Sequence, residues 1–181
     1  MRWLEKALPI DETVMVSGKV YRTVSHQCWD CAVRQKDMAD LGVTRQVLSP
    51  MPELLSYWMK PDDGATMCRF LNETLAEFVA ADRERFIGLG AVPLQDVDAA
   101  IVELEQAVNV LKLAGVEIGT NVNGTVIGDP RLEPFFAAAE RLGAAIFVHA
   151  LRPAGMDRLV GPANLEQVVA FPGEVGLSAV S

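Results

Sequence analysis

Histidine is scarce in this chain: there are two, His26 and His149. Cysteine is nearly as rare, and three is an odd number that makes no disulfide framework. Basic residues are outnumbered, 16 Lys and Arg against 24 Asp and Glu, for a net charge of −8. That balance lacks the clustered positive charge that a nucleic-acid backbone requires. No uninterrupted apolar run approaches the roughly 18–20 residues of a membrane helix. Arg2, Glu5 and Lys6 interrupt the first turn, so no signal peptide is expected. The absences lead to an expectation of a soluble, cytoplasmic protein with neither nucleic acid nor membrane as partner.

What is present is apolar patterning on an α/β plan. Half of the 181 residues are hydrophobic, enough for one domain with a real core. Residues 30–41 read as a helix leading through Gly42 into a strand at 43–48. Residues 66–81 place Met67, Phe70, Leu71, Leu75, Phe78 and Val79 on one helical face. Phe86 to Val92 reads as a strand stopped by Pro93. In the next helix, 96–113, Asp96 caps a stripe of Val97, Ala100, Ile101, Leu104, Ala107, Val108 and Leu111. Val116–Gly119 is a strand, followed by a loop from Thr120 to Gly128. Asp129-Pro130 then reads as a cap with proline at the first helical position, and Gly143 fits the C′ position of that helix.

The alternation amounts to about four βα units and a parallel sheet. A possible small hairpin about Gly18 sets off an N-terminal segment, 1–27, from the α/β body, 28–181. The stretch from Ser49 to Ala65, with prolines at 50, 52 and 61, is long for a βα connection, and such loops are often functional.

The apolar run Ala144–Val148 ends in His149. Side chains just past the carboxyl ends of parallel strands face the ligand site of α/β folds. Taken alone, a histidine closing an apolar strand is more often a core residue than a ligand. Arg22 alone is one of many solvated basic residues. Trp58 either lines a pocket or packs its loop down. Glu117, inside an apolar strand, is either a charge at a pocket mouth or an outward-facing residue. Cys28-x-x-Cys31, with His26 upstream, lacks the second ligand pair of a zinc site and reads as structural.

Several collinear stretches carry a resemblance. They are Gly18-Lys19-Val20-Tyr21-Arg22, Cys28-Trp29-Asp30, Leu41-Gly42-Val43-Thr44, Ser56-Tyr57-Trp58 and Lys60-Pro61. Arg85-Phe86-Ile87-Gly88-Leu89-Gly90, Gly115-Val116-Glu117-Ile118-Gly119-Thr120, Ala137-Ala138-Ala139-Glu140-Arg141-Leu142 and Phe147-Val148-His149 continue it. Over roughly residues 18–155 the chain resembles the decarboxylase branch of the amidohydrolase superfamily, typified by α-amino-β-carboxymuconate-ε-semialdehyde decarboxylase.

The resemblance implies a (β/α)8 TIM barrel, here partial, and metal-dependent, non-oxidative decarboxylation of an unsaturated or aromatic carboxylate. It implies a divalent metal, zinc in the complete enzyme, with His149 as one ligand. Arg22 then contacts the substrate carboxylate, and Trp58 is a second candidate substrate contact. Imidazole suits zinc, and a guanidinium fork suits a planar carboxylate. No catalytic residue is assigned.

Departures from the pattern bear on activity. The family's opening strand carries a His-x-His pair that this sequence lacks, and its later histidine and aspartate have no counterpart before Ser181. Ala150-Leu151 stands where relatives often have Pro-Trp. A zinc site needs three or four protein ligands, and a whole barrel takes about 250 residues. The chain is therefore expected to be truncated, to bind no metal by itself, and to form a homo-oligomer through open sheet edges. Hydrolysis on the same barrel and a catalytically inert half-barrel needing a partner chain are the alternative readings.

Overall fold

The computed structural model describes residues 11–16, 19–151, 160–162 and 165–181, with side chains from Thr23 onward. Contacts divide the chain into two compact units, Met1–Gln46 and Val47–Ser181.

In the first unit, β1 (Asp11–Val16) and β2 (Lys19–Ser25) pair antiparallel, with a register shift between Val14 and Met15. The connecting residues 17–18 and the side chain of Arg22 lie outside the described residues. Helix α1 (Cys31–Asp40) starts where Asp30 Oδ1 accepts the Val33 N–H at 3.0 Å, an ordinary N-cap. Met38 is its buried residue, and Arg34 donates to the Gln27 carbonyl at 2.6 Å.

In the second unit a four-stranded sheet has the order β3 (Gln46–Leu48), β4 (Phe86–Ala91), β5 (Gly115–Gly119), β8 (Ala145–His149). The β4–β5 and β5–β8 pairs are parallel. Helices α2 (Pro61–Ala80), α3 (Val97–Glu105) and α4 (Glu133–Leu142) connect successive strands, as βα units require. A two-residue pair, β6 (Asn121–Val122) and β7 (Thr125–Val126), occupies part of the loop expected after β5. The last helix, α5, spans Phe171–Ser178. The alternation foretold the parallel βα sheet, and its partial TIM-barrel architecture is the one the resemblance implied.

Strand register decides which side chains meet. Val116 and Ile118, both fully buried, pack with Leu104, Ala107, Phe135 and Ala139 of the helices. Burying side chains of this size contributes roughly 1.5–3 kcal/mol each for the larger ones. Ile146 and Val148 are register partners of Val116 and Ile118 and join the same core. Gly115, Glu117, Gly119, Ala145, Phe147 and His149 therefore share the opposite face. Gly143, at φ 62°, ends α4 in the left-handed conformation that glycine adopts without penalty.

Three local expectations are corrected. The 49–65 stretch is shorter as a loop, because α2 begins at Pro61, with Asp62 and Asp63 in its first turn favouring the helix dipole. The helix after Asp129 starts as a 3-10 turn, Pro130–Leu132, before α4 proper. The buried stripe of α2 is also shifted from the one its large apolar residues suggest, Val79 being buried as expected and Met67, Leu71, Leu75 and Phe78 only half-buried. Gly64, Cys68, Asn72, Ala76 and Val79 are buried, whereas Phe70 is 57% exposed.

A polar network explains that rotation. Asn72 Nδ2 donates to the Ala91 carbonyl at 2.9 Å and to Glu103 Oε1 at 2.8 Å, and Asn72 Oδ1 accepts the Ala91 N–H at 2.7 Å. Arg69 reaches both carboxylate oxygens of buried Glu103, at 3.2 and 2.9 Å. A Cβ on Gly90 would lie 2.4 Å from Asn72 Oδ1, so glycine is what lets the helix side chain reach the strand end.

Candidate functional site

The carboxyl ends of β3, β4, β5 and β8 come together at one edge of the sheet, where the connecting loops cross. Ser49 follows β3 and contributes a hydroxyl. From the loop after it, Tyr57 turns inward and is 4% exposed. Its hydroxyl oxygen accepts the Gly119 N–H at 3.0 Å, and its carbonyl accepts from Asn123 Nδ2 at 2.8 Å. Burial pushes the Tyr57 hydroxyl well above its ordinary pKa, so it stays neutral. After β8, the Leu151 N–H donates to Thr120 Oγ1 at 3.2 Å, and the Thr120 N–H donates to the His149 carbonyl at 3.1 Å.

His149 sits at the last position of β8, half-buried, on the face shared with Glu117. Its Nδ1 lies 2.8 Å from the Ala150 carbonyl. A proton on Nδ1 satisfies that contact and leaves the Nε2 lone pair free, the arrangement of a metal-ligating histidine held by a backbone carbonyl. Phe147 stands edge-on to the imidazole, with ring centroids 6.3 Å apart.

Glu117 is the residue whose setting the sequence left undecided. It is 1% exposed, so it does not face solvent, and by register it shares the face of the sheet that carries His149. The Ser49 hydroxyl hydrogen-bonds its carboxyl, while Oε1 has no hydrogen-bond partner. Burial raises its pKa above the ordinary carboxylate value, against the opposing pull of Ser49 and His149.

The remaining candidates each have a setting of their own. Trp58, next to Tyr57, is 78% exposed. Arg22 lies on β2, in the other compact unit, with its side chain outside the described residues. Cys28 is exposed, and its neighbour His26 meets Trp29 ring to ring at 5.5 Å. Cys68 is buried and its thiol is pushed up to about 12, which leaves it protonated and unreactive. Asn121 is engaged by Glu174 of α5 at 2.8 Å.

Among the described residues no three His, Cys, Asp or Glu side chains group as a metal-binding set. The donor chemistry of His149 suits a divalent metal, but one imidazole falls short of the three protein ligands that a catalytic zinc needs. By themselves, the described residues do not make a metal site.

The amidohydrolase family profile matches residues 14–173, most of the chain. The chain belongs to the amidohydrolase family. Among curated relatives, it is 39% identical over 169 residues to the 2-amino-3-carboxymuconate-6-semialdehyde decarboxylase of Dictyostelium discoideum, covering 93% of this chain and 46% of that one. It is 32% identical over 195 residues to the gamma-resorcylate decarboxylase of Rhodococcus jostii, covering 98% of this chain and 59% of that one. Of solved structures, the 5-carboxyvanillate decarboxylase of Sphingomonas paucimobilis superposes with a TM-score of 0.75 at 28% identity, covering 82% of this chain and 44% of that one. This member of the amidohydrolase family thus spans about half the length of the relatives it matches.

Proposed function

We propose that this chain works in a metal-dependent, non-oxidative decarboxylase acting on a small unsaturated or aromatic carboxylate. The observation that supports this most is a likeness to a named decarboxylase that runs through 93% of the chain and includes the strand closed by His149. In this reading His149 is one ligand of a divalent metal, zinc by preference for imidazole, in a site completed by residues beyond those described. Such a metal, held by His149 together with the completing ligands, would supply charge stabilisation for loss of the carboxylate.

The chain's own residues supply orientation and exclusion of water. The Ala150 carbonyl fixes the imidazole tautomer. Tyr57 fastens the loop over the end of β5 through its contact with the Gly119 N–H. Arg22 is proposed to anchor the substrate carboxylate by a paired guanidinium contact. Trp58, exposed on the loop that carries Tyr57, is proposed to stack on the planar part of the substrate.

A carboxyl-labelled aromatic acid, followed by carbon NMR with added zinc or manganese, tests the reaction. The expected outcome is labelled carbon dioxide and bicarbonate in step with loss of substrate. Ring-opened or amide-cleaved product with the label retained establishes a hydrolase instead.

We also propose that the chain self-associates. Among the described residues β3 and β8 end the sheet, and β8 leaves Phe147 49% exposed. Unpaired edges of this kind favour association. Light scattering on a sizing column is expected to give a mass at least twice that of the chain, whereas a stable monomer contradicts self-association.

A further inference from the structure

We propose that Glu117 reads the ligand at this site: its buried carboxyl takes a hydrogen-bond donor, an amino or hydroxyl group, on the small carboxylate bound at the strand ends. The inference rests on the reading of this site as one for a carboxylate.

Register carries the first part of the argument. Glu117 pairs with Phe147, and Gly119 pairs with His149. Glu117 and His149 therefore project from the same face, with His149 one step nearer the carboxyl ends. Gly119 has no side chain to stand between them. Of the residues that flank Glu117 on this face, Ala91 on β4 and Gly115 and Ala145 at the start of their strands are small, and Phe147 on β8 is the one large neighbour. The imidazole and the carboxyl are close enough to interact electrostatically.

Satisfaction carries the second part. Ser49 occupies the carboxyl on one side, and Oε1 is buried without a partner on the other. Folded proteins pair nearly all such atoms, and an apolar residue of equal size would avoid the cost of leaving one unpaired. A side chain that keeps this cost, on the face that carries His149, is suited to a group arriving from outside.

Charge decides which group that is. A carboxyl repels or merely tolerates the ligand's own carboxylate, so that end belongs elsewhere. Glu117 is matched to a donor substituent on the same molecule. Leu151 and Tyr57 cover the approach: a Cβ at Gly119 would lie 2.2 Å from Leu151 Cδ1 and 3.2 Å from Tyr57 Cε2. Leu151, a flexible aliphatic side chain, is the part of this cover that the ligand moves.

Affinities of the chain for benzoate, salicylate and anthranilate test this by calorimetry. The three share a carboxylate and differ in an ortho hydroxyl or amino group. The wild type is expected to bind the donor-bearing pair about 10-fold more tightly than benzoate, the scale of a hydrogen bond to a charged group. Glu117→Met, similar in size but unable to accept, is expected to bind all three alike. Glu117→Gln, which keeps an acceptor, is expected to restore part of the preference. A purely structural role predicts something else: Glu117→Met would lower the denaturation midpoint and weaken all three probes equally. Equal binding of the probes by the wild type, or a preference that survives Glu117→Met, overturns the role of Glu117 and leaves the carboxylate site standing. No binding of any probe overturns both.

Discussion

Replacing Asn72 by alanine is expected to destabilise the Val47–Ser181 unit by about 3–5 kcal/mol, from the cost of unpairing buried hydrogen-bonding groups. The side chain holds both the N–H and the carbonyl of Ala91, at 2.7 and 2.9 Å, and donates to Glu103 at 2.8 Å. Alanine leaves two backbone groups unpaired at the end of β4 and takes one donor from a carboxylate that is 3% exposed. Glu103 keeps Arg69, which limits the loss on that side. Against a typical total of about 5–15 kcal/mol, such a loss removes a large part of the fold's stability. Asn72→Leu, which fills the volume, is expected to be nearly as harmful, because the missing hydrogen bonds rather than a cavity set the cost. Chemical denaturation of the three proteins measures this, and a change below about 1 kcal/mol for Asn72→Ala contradicts the assignment.

His149→Ala is expected to have the largest effect on activity. Loss of an outer-shell partner of a metal ligand typically costs about 10–100-fold in affinity or rate. Loss of the ligand itself is expected to lower carbon dioxide release by more than about 100-fold while leaving the denaturation midpoint nearly unchanged. Stability is spared because His149 is half-buried and its hydrogen bond runs only to the neighbouring Ala150 carbonyl, whereas the strand core beneath it is Val116, Ile118, Ile146 and Val148. A rate within threefold of wild type, measured under the same metal concentration, removes His149 from the proposed mechanism.

The order of strands and helices was legible because each element carries its own period. The stripe that begins in α3 at Ala100 and Leu104 continues into the helical turn after it at Ala107, all three buried, and the helix after Asp129 buries Leu132, Phe135 and Ala139 at helical spacing. His149 was legible for a related reason: a polar residue closing an apolar strand marks the strand's carboxyl end. What local pattern could not supply was the rotation of α2. Phe70 looks like core by periodicity, yet partners far along the chain, Ala91 and Glu103, turn Asn72 inward instead. A signal for this network was present in Glu103, a charged residue next to Leu104 within the buried stripe of α3, where only a paired charge is tolerated.

Glu117 was visible as a charge in an apolar strand, but its face was not. Short buried strands lack the polar alternation that separates inside from outside. Only the register with β8, which sets Glu117 beside Phe147 and Gly119 beside His149, places it on the face that carries His149. The start of α2 at Pro61 was readable in principle from proline followed by two aspartates, a common helix opening.

The central claim is that His149 ligates a divalent metal. Electron spin-echo spectroscopy of the manganese(II)-loaded protein, in a form that carries the residues completing the site, tests it most directly, because an imidazole nitrogen bound to the ion modulates the echo. The predicted result is a nitrogen coupling that is present in the wild type, persists in His26→Ala and disappears in His149→Ala. A wild-type spectrum without nitrogen coupling, or a coupling unchanged by His149→Ala, contradicts the account.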